Sequence, residues 1–172
     1  MAIHRLNHAV LYVRDVATSV AFYRDVLGFE VITELAGRAA FLRADGSTND
    51  HDLGLFAVGA QAAPSPAGRG AVGLYHLAWE VETLADLQSL SAELAAADAL
   101  VGASDHSTTK SLYGRDPDGL EFEVAWIVPA ELLDEAALAG RASIRPLDLA
   151  REMARYGAQT PGGIGISRSV SA

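Results

Sequence analysis

The chain has 172 residues, half of them hydrophobic, enough for one well-packed domain and too few for two of ordinary size. Thirteen Lys and Arg against 22 Asp and Glu give a net charge of −9, which repels phosphate backbones and anionic lipids, so neither nucleic acid nor a membrane is expected as a partner. Cysteine is absent, which excludes disulfides and thiolate sites and leaves any metal to His, Asp or Glu.

The opening "MAIHRLNHAV" has no apolar stretch suited to a signal peptide, and no run reaches the roughly 18 to 20 apolar residues of a membrane span, so a cytoplasmic protein is expected. From Leu6 to Val13 the pattern predicts a strand, with Leu6, His8, Val10 and Tyr12 on one face and Asn7, Ala9, Leu11 and Val13 on the other. Asp15 can cap the next helix, whose apolar stripe is Val16, Val20, Tyr23 and Leu27, with Gly28 as its left-handed stop. Three β-type runs follow, "FEVITEL", "RAAFLRA" and "HDLGLFAV", parted by Ala36-Gly37 and by the turn-rich "DGSTND".

After the linker "GAQAAPSPAGRGAVG" the order repeats: strand "LYHLAWEV", a helix capped by Thr83 with Leu84, Leu87, Leu90 and Leu94 inward, then "ALVGAS", "KSLYGRD" and "LEFEVAWIV". At an offset of 68 residues the halves match at Leu6 and Leu74, His8 and His76, Val13 and Val81, and Ala17 and Ala85. The shared order of elements supports a duplication more strongly than these four letters do, and duplicated units commonly build one site where they face each other. Units are expected over 3–60 and 73–128. From residue 129, "AELLDEAALAG" and "PLDLAREMARYG" read as two short helices before a flexible Gly- and Ser-rich tail, "GGIGISRSVSA". This stretch, 129–172, is an appendage that could cover a sheet edge, join a dimer or form a lid.

His8 and His76 hold equivalent places in apolar strands, where a buried imidazole without a partner costs free energy. Together they offer two nitrogen ligands. Glu121 and Glu123 project to one face of the last strand of the second half, suggesting a third donor, while the corresponding place in the first half aligns with Leu55 or Phe56. His4 lies on the face of His8 but lacks a counterpart at the same offset. His51 reads as a strand-start residue at a pocket mouth or in solvent, and Trp79 and Trp126 as core packing.

The stretches "LNHAVLYVRDVATSVAFYRDVLGFEV", "LYHLAWEV" and "DHSTTKSLYGRDPDGLEFEVAW" together resemble the vicinal oxygen chelate superfamily, most of all its small catechol 2,3-dioxygenase-like members. The likeness runs from about residue 3 to 128, and its most specific part is Asp-Pro-x-Gly-x-x-x-Glu closing on Glu123. It implies an α+β fold of two paired βαβββ units whose curved mixed sheets enclose a metal-binding cleft, with the C-terminal helical appendage outside. The units could lie in one chain or be exchanged in a homodimer.

By that motif the metal ligands are His8, His76 and Glu123, with Glu121 the more peripheral carboxylate. Two histidines and one carboxylate leave about three positions of an octahedral ion open, as in non-heme Fe(II) oxygenases. The resemblance implies Fe(II), with Mn(II), Zn(II) or Ni(II) as alternatives, and a small catecholic substrate opened by dioxygen beside its diol. It also puts Tyr113 against a substrate oxygen and His106 in proton transfer, a role that suits imidazole. Two other functions belong to the same superfamily: glyoxalase-like isomerases or epimerases, which resemble a four-ligand pattern, and bleomycin-resistance proteins, which sequester a drug without the metal triad.

Overall fold

The computed structural model describes residues 2–163; the predicted flexible tail lies outside them from residue 164 on. The fold is mixed α+β, with two open mixed sheets of four and five strands and, among the described residues, four α-helices. The chain divides into two units, the first reaching to residue 66 and taking in 116–120, the second spanning 67–115 and continuing from 121.

In the first unit the order is β1 (Ala9–Val13), α1 (Val16–Asp25), β2 (Glu30–Leu35), β3 (Ala39–Arg43) and β4 (Leu53–Ala57). β1 lies parallel to β4, which continues antiparallel to β3 and β2. Asp15 caps α1 as expected, accepting from the Thr18 amide at 2.7 Å. The helix buries Val16, Ser19, Val20 and Tyr23, and the sheet side chains Leu11, Val13, Leu42, Leu53 and Leu55 are buried too. Leu27 falls beyond the helix end and is only half-buried, because Gly28 with φ +75° turns the chain. The segment 116–120 is tied into this unit by ion pairing of Arg14 with Asp118 at 2.7 Å and by the buried Tyr23 hydroxyl, which donates to Asp116 at 3.2 Å.

The second unit repeats the order as β5 (Leu77–Glu80), α2 (Leu84–Ala96), β6 (Leu100–Asp105), β7 (Thr109–Arg115) and β8 (Glu121–Ile127). The starts of β5 and α2 keep the offset of 68 residues from β1 and α1. α2 opens with a full capping box between Thr83 and Asp86 and buries Leu84, Leu87 and Leu94 completely, with Leu90 half-buried. Phe122, Val124 and Trp126 are buried on one side of β8, and Glu121 and Glu123 alternate with them. Gly114 is required in β7 because a Cβ there would lie 2.3 Å from the Phe122 ring.

The segment after residue 128 departs from the expectation in two ways. The stretch 130–140 is not one helix: a 3₁₀ turn at Ala130–Leu132 stops where Asp134 caps α3 (Glu135–Gly140), its side chain accepting from the Ala137 amide at 2.7 Å. A short strand, β9 (Arg145–Pro146), then adds antiparallel to β6 before α4 (Leu149–Tyr156), capped by Asp148. Two residues have no periodicity to read, so β9 left no sequence signal.

Candidate active site

Both expected histidines precede their strands by one residue, His8 before β1 and His76 before β5. The apolar strand setting does not bury them: His8 is exposed and His76 half-buried. In the second unit β5 runs parallel to β8 with Ala78 opposite Glu123, and Tyr113 of β7 stands opposite Glu123 on the other side. Three neighbouring strands thus bring His76, Glu123 and Tyr113 together.

His76 Nε2 lies 3.1 Å from Glu123 Oε2. The other ring nitrogen, Nδ1, is buried with no hydrogen-bond partner among the described residues, a cost that packing alone does not call for. Beyond them, His106 Nε2 is 2.7 Å from the Tyr113 hydroxyl. Burial, and after it the Glu123 carboxylate, raises the Tyr113 pKa, so this phenol keeps its proton through the neutral range. These four side chains line one cleft of about 540 Å³, with Ser104, Thr109, Tyr75 and Ile144 completing its wall. Sequence reading missed the last four, whose residue types carry no chemical signal of their own.

The remaining predicted ligand, His8, belongs to the first unit. Its Nδ1–H donates to the Asn7 side-chain oxygen at 2.7 Å, which leaves Nε2 with the lone pair a ligand needs. Its ring lies 4.6 Å from that of His51, which itself stands 5.0 Å from Phe41 and binds Asp50 at 2.9 Å. His4 is exposed. Glu121 is engaged by Arg115 at 2.7 Å, in keeping with its peripheral place. Trp126 is fully buried and Trp79 half-buried.

Strand register corrects one alignment. β1 pairs with β4 as Val10 opposite Gly54, the counterpart of Ala78 opposite Glu123, so the residue equivalent to Glu123 is Gly54 and not Leu55 or Phe56. Leu55 points into the core with no exposed surface. By the same register Phe41 replaces Tyr113. A Cβ at Gly54 would already touch Val10, Phe56 and Phe41 at 3.4 to 3.7 Å. These are ordinary van der Waals distances, and the position carries no side-chain donor.

Two cis donors, each about 2.1 Å from one ion, are separated by about 3 Å, and His76 and Glu123 stand at that spacing. Within neither unit do the described residues gather three such donors. The pair therefore fits two positions of an ion's sphere.

The family model described as Glyoxalase/Bleomycin resistance protein/Dioxygenase superfamily matches residues 5–124. The chain belongs to this superfamily. Among its relatives, the catechol-2,3-dioxygenase of Bacillus subtilis (strain 168) is 32% identical over 119 residues, 69% of this chain and 40% of that protein. The manganese-dependent 2,3-dihydroxybiphenyl 1,2-dioxygenase of Geobacillus genomosp. 3 is 28% identical, covering 73% of this chain and 38% of its own length. The chain thus spans well under half the length of either dioxygenase. The lactoylglutathione lyase of Agrobacterium tumefaciens superposes with a TM-score of 0.53 at 26% identity, over 73% of this chain and 95% of that one. The superfamily match ends at residue 124, before the 3₁₀ turn, α3, β9 and α4.

Proposed function

We propose that this member of the superfamily is a metal-dependent extradiol-type dioxygenase that opens a catechol-like ring. One observation carries the reading: a His76–Glu123 pair at 3.1 Å shares a cleft with a His106–Tyr113 pair at 2.7 Å, so a ligand set and a proton-handling set face one space. His8, His76 and Glu123 would hold the metal, Fe(II) or the Mn(II) that one relative's name carries. When bound, the metal supplies the electronic link between the ring and dioxygen; both oxygen atoms enter the product and the ring C–C bond beside the diol breaks.

The side chains do the rest. Tyr113, whose phenol keeps its proton, donates a hydrogen bond to a substrate oxygen and holds the ring in one orientation. Once the Tyr113 hydroxyl turns its proton from His106 to the substrate, His106 Nε2 has its lone pair free to accept the proton of a substrate hydroxyl, which it returns to the opened product. The walls Tyr75 and Ile144 offer apolar contact to an aromatic ring. Among the described residues no Lys or Arg lines this cleft, which favours a neutral ring over one bearing an anionic tail.

Anaerobic loading with Fe(II), and separately with Mn(II), followed by catechol and air, is expected to give oxygen uptake and a yellow ring-fission product. Absence of both with every metal would overturn the reading. A glyoxalase-like isomerisation is favoured by the likeness to the lactoylglutathione lyase, but Gly54 lacks the donor that a four-ligand pattern places there. Methylglyoxal hemithioacetal turnover by the metal-loaded protein, with no oxygen uptake, would choose it. Drug sequestration without a metal predicts less than about one equivalent of transition metal after reconstitution, read by elemental analysis.

A further inference from the structure

Beneath the cleft, on the opposite face of β7, Lys110 is fully buried. Its ammonium lies 2.5 Å from Asp105 Oδ1 and 2.9 Å from Glu152 Oε2, and donates to the Ser107 carbonyl at 3.2 Å. Asp105 Oδ1 also accepts the Ser107 amide at 2.7 Å, while its Oδ2 meets Arg145 at 3.1 Å. Ser107 has φ +71°, a left-handed conformation that a residue with a Cβ rarely adopts. Gly140 of α3 leaves room for the Ser107 side chain, since a Cβ there would lie 2.6 Å from its hydroxyl. Between Asp105 and Ser107, on this turn, stands His106.

We propose that Glu152, acting through Lys110 and Asp105, is a positioning residue that holds the 105–110 turn so that His106 stays against Tyr113 in the cleft. Three charged groups buried together are a poor way to gain stability, because apolar residues of similar volume do as well or better. They are a good way to select one conformation of a strained turn. Glu152, Arg145 and Gly140 all lie beyond residue 124, outside the stretch the superfamily model matches, so these members of the clamp come from the chain's C-terminal segment. The same segment places Ile144 in the cleft wall. The part His106 plays in proton transfer rests on the dioxygenase reading; the clamp on the turn does not.

Glu152→Gln keeps the shape of the side chain and removes its charge. In the metal-free full chain, amide hydrogen exchange at 106–109 is expected to accelerate at least about tenfold, while that of the β8 amides 122–126 changes less than about twofold. In the Fe(II)-loaded protein, kcat with catechol is expected to fall about tenfold or more with KM within about twofold, a split that general loosening of the fold would not give. Arg145→Ala, which removes a half-exposed partner of Asp105, guards against a variant that fails to fold and is expected to change exchange in the same direction by less. Unchanged exchange at 106–109 in both variants, or acceleration spread evenly over the sheet, overturns the clamp. Wild-type protein without oxygen uptake would instead sink the dioxygenase reading, and the exchange result would still decide the clamp.

Discussion

The two units share one order of elements and one pattern of strand pairing, yet the open sides of their sheets bear different groups. In the second, the open side of the sheet bears His76, Glu123 and Tyr113; in the first, the matching places are His8, Gly54 and Phe41. The core sides differ far less, with Leu53 and Leu55 answering Phe122 and Val124. The comparison teaches that the frame is specified by core-facing alternation, whereas the chemistry is written on the other parity of the same strands. Each unit has its histidine, and Glu123 of the second stands where the first has Gly54.

The sharpest way to break this comparison is to exchange its unequal members. Glu123→Ala is expected to lower metal affinity by more than the about 10–100-fold typical of losing an outer-shell partner, so that metal content after gel filtration drops from near one equivalent toward zero. Gly54→Ala, whose Cβ makes only ordinary contacts, is expected to leave metal content unchanged. A Glu123→Ala protein that keeps its metal would remove the carboxylate from the ligand set. Next in size, Tyr113→Phe is expected to cut kcat by about 100-fold, with metal content unchanged. The reverse exchange, Phe41→Tyr, is expected to leave turnover within about twofold, because Phe41 stands opposite Gly54 where Tyr113 stands opposite Glu123.

Acid pH separates two buried aspartates, one from each unit, by sign. In the second, burial pushes the Asp105 carboxyl up, but its bonds from Lys110, the Ser107 amide and Arg145 outweigh that and hold it below the ordinary range. The stability it contributes is present above the unfolded value of about 3.9 and is lost as pH falls through the folded value. In the first, burial raises Asp116 beyond what the Leu120 and Asp118 amides can offset. Its ionised form is disfavoured in the fold, so its contribution improves as pH falls through that raised value. Melting temperature followed over roughly pH 3 to 6 should therefore lose part of its acid decline in Asp105→Asn and decline more steeply in Asp116→Asn. Equal slopes in the two variants would contradict the assignment. The smallest effect is expected at Glu121, paired with a half-exposed Arg115: Glu121→Gln should change stability by under about 1 kcal/mol and leave metal content alone.

Much of this molecule was legible in its letters. Alternation in the first strand and β-type runs between turn signals placed all eight strands of the duplicated frame, Asp15 and Thr83 marked both helix starts, and the offset of His8 and His76 marked the duplication. The strand runs and helix caps are local properties, set by residues within one or two turns of each other, and they survive any rearrangement farther along the chain. Lys110 left a faint signal, a lysine on the parity of β7 that also holds Leu112 and Gly114, but its carboxylate partners did not.

What required the tertiary structure was register and approach. One residue of slip between β1 and β4 would put Leu55 where Gly54 stands; the ladder of hydrogen bonds decides the alignment, with Leu53 and Leu55 on the core side. The meeting of His76 with Glu123 spans nearly fifty residues, and that of Lys110 with Glu152 about forty. Contacts over such separations depend on how whole elements pack, and the same short segments are compatible with many packings. The sequence alone therefore determined which groups were available for chemistry, and the fold decided which of them came within reach of one another.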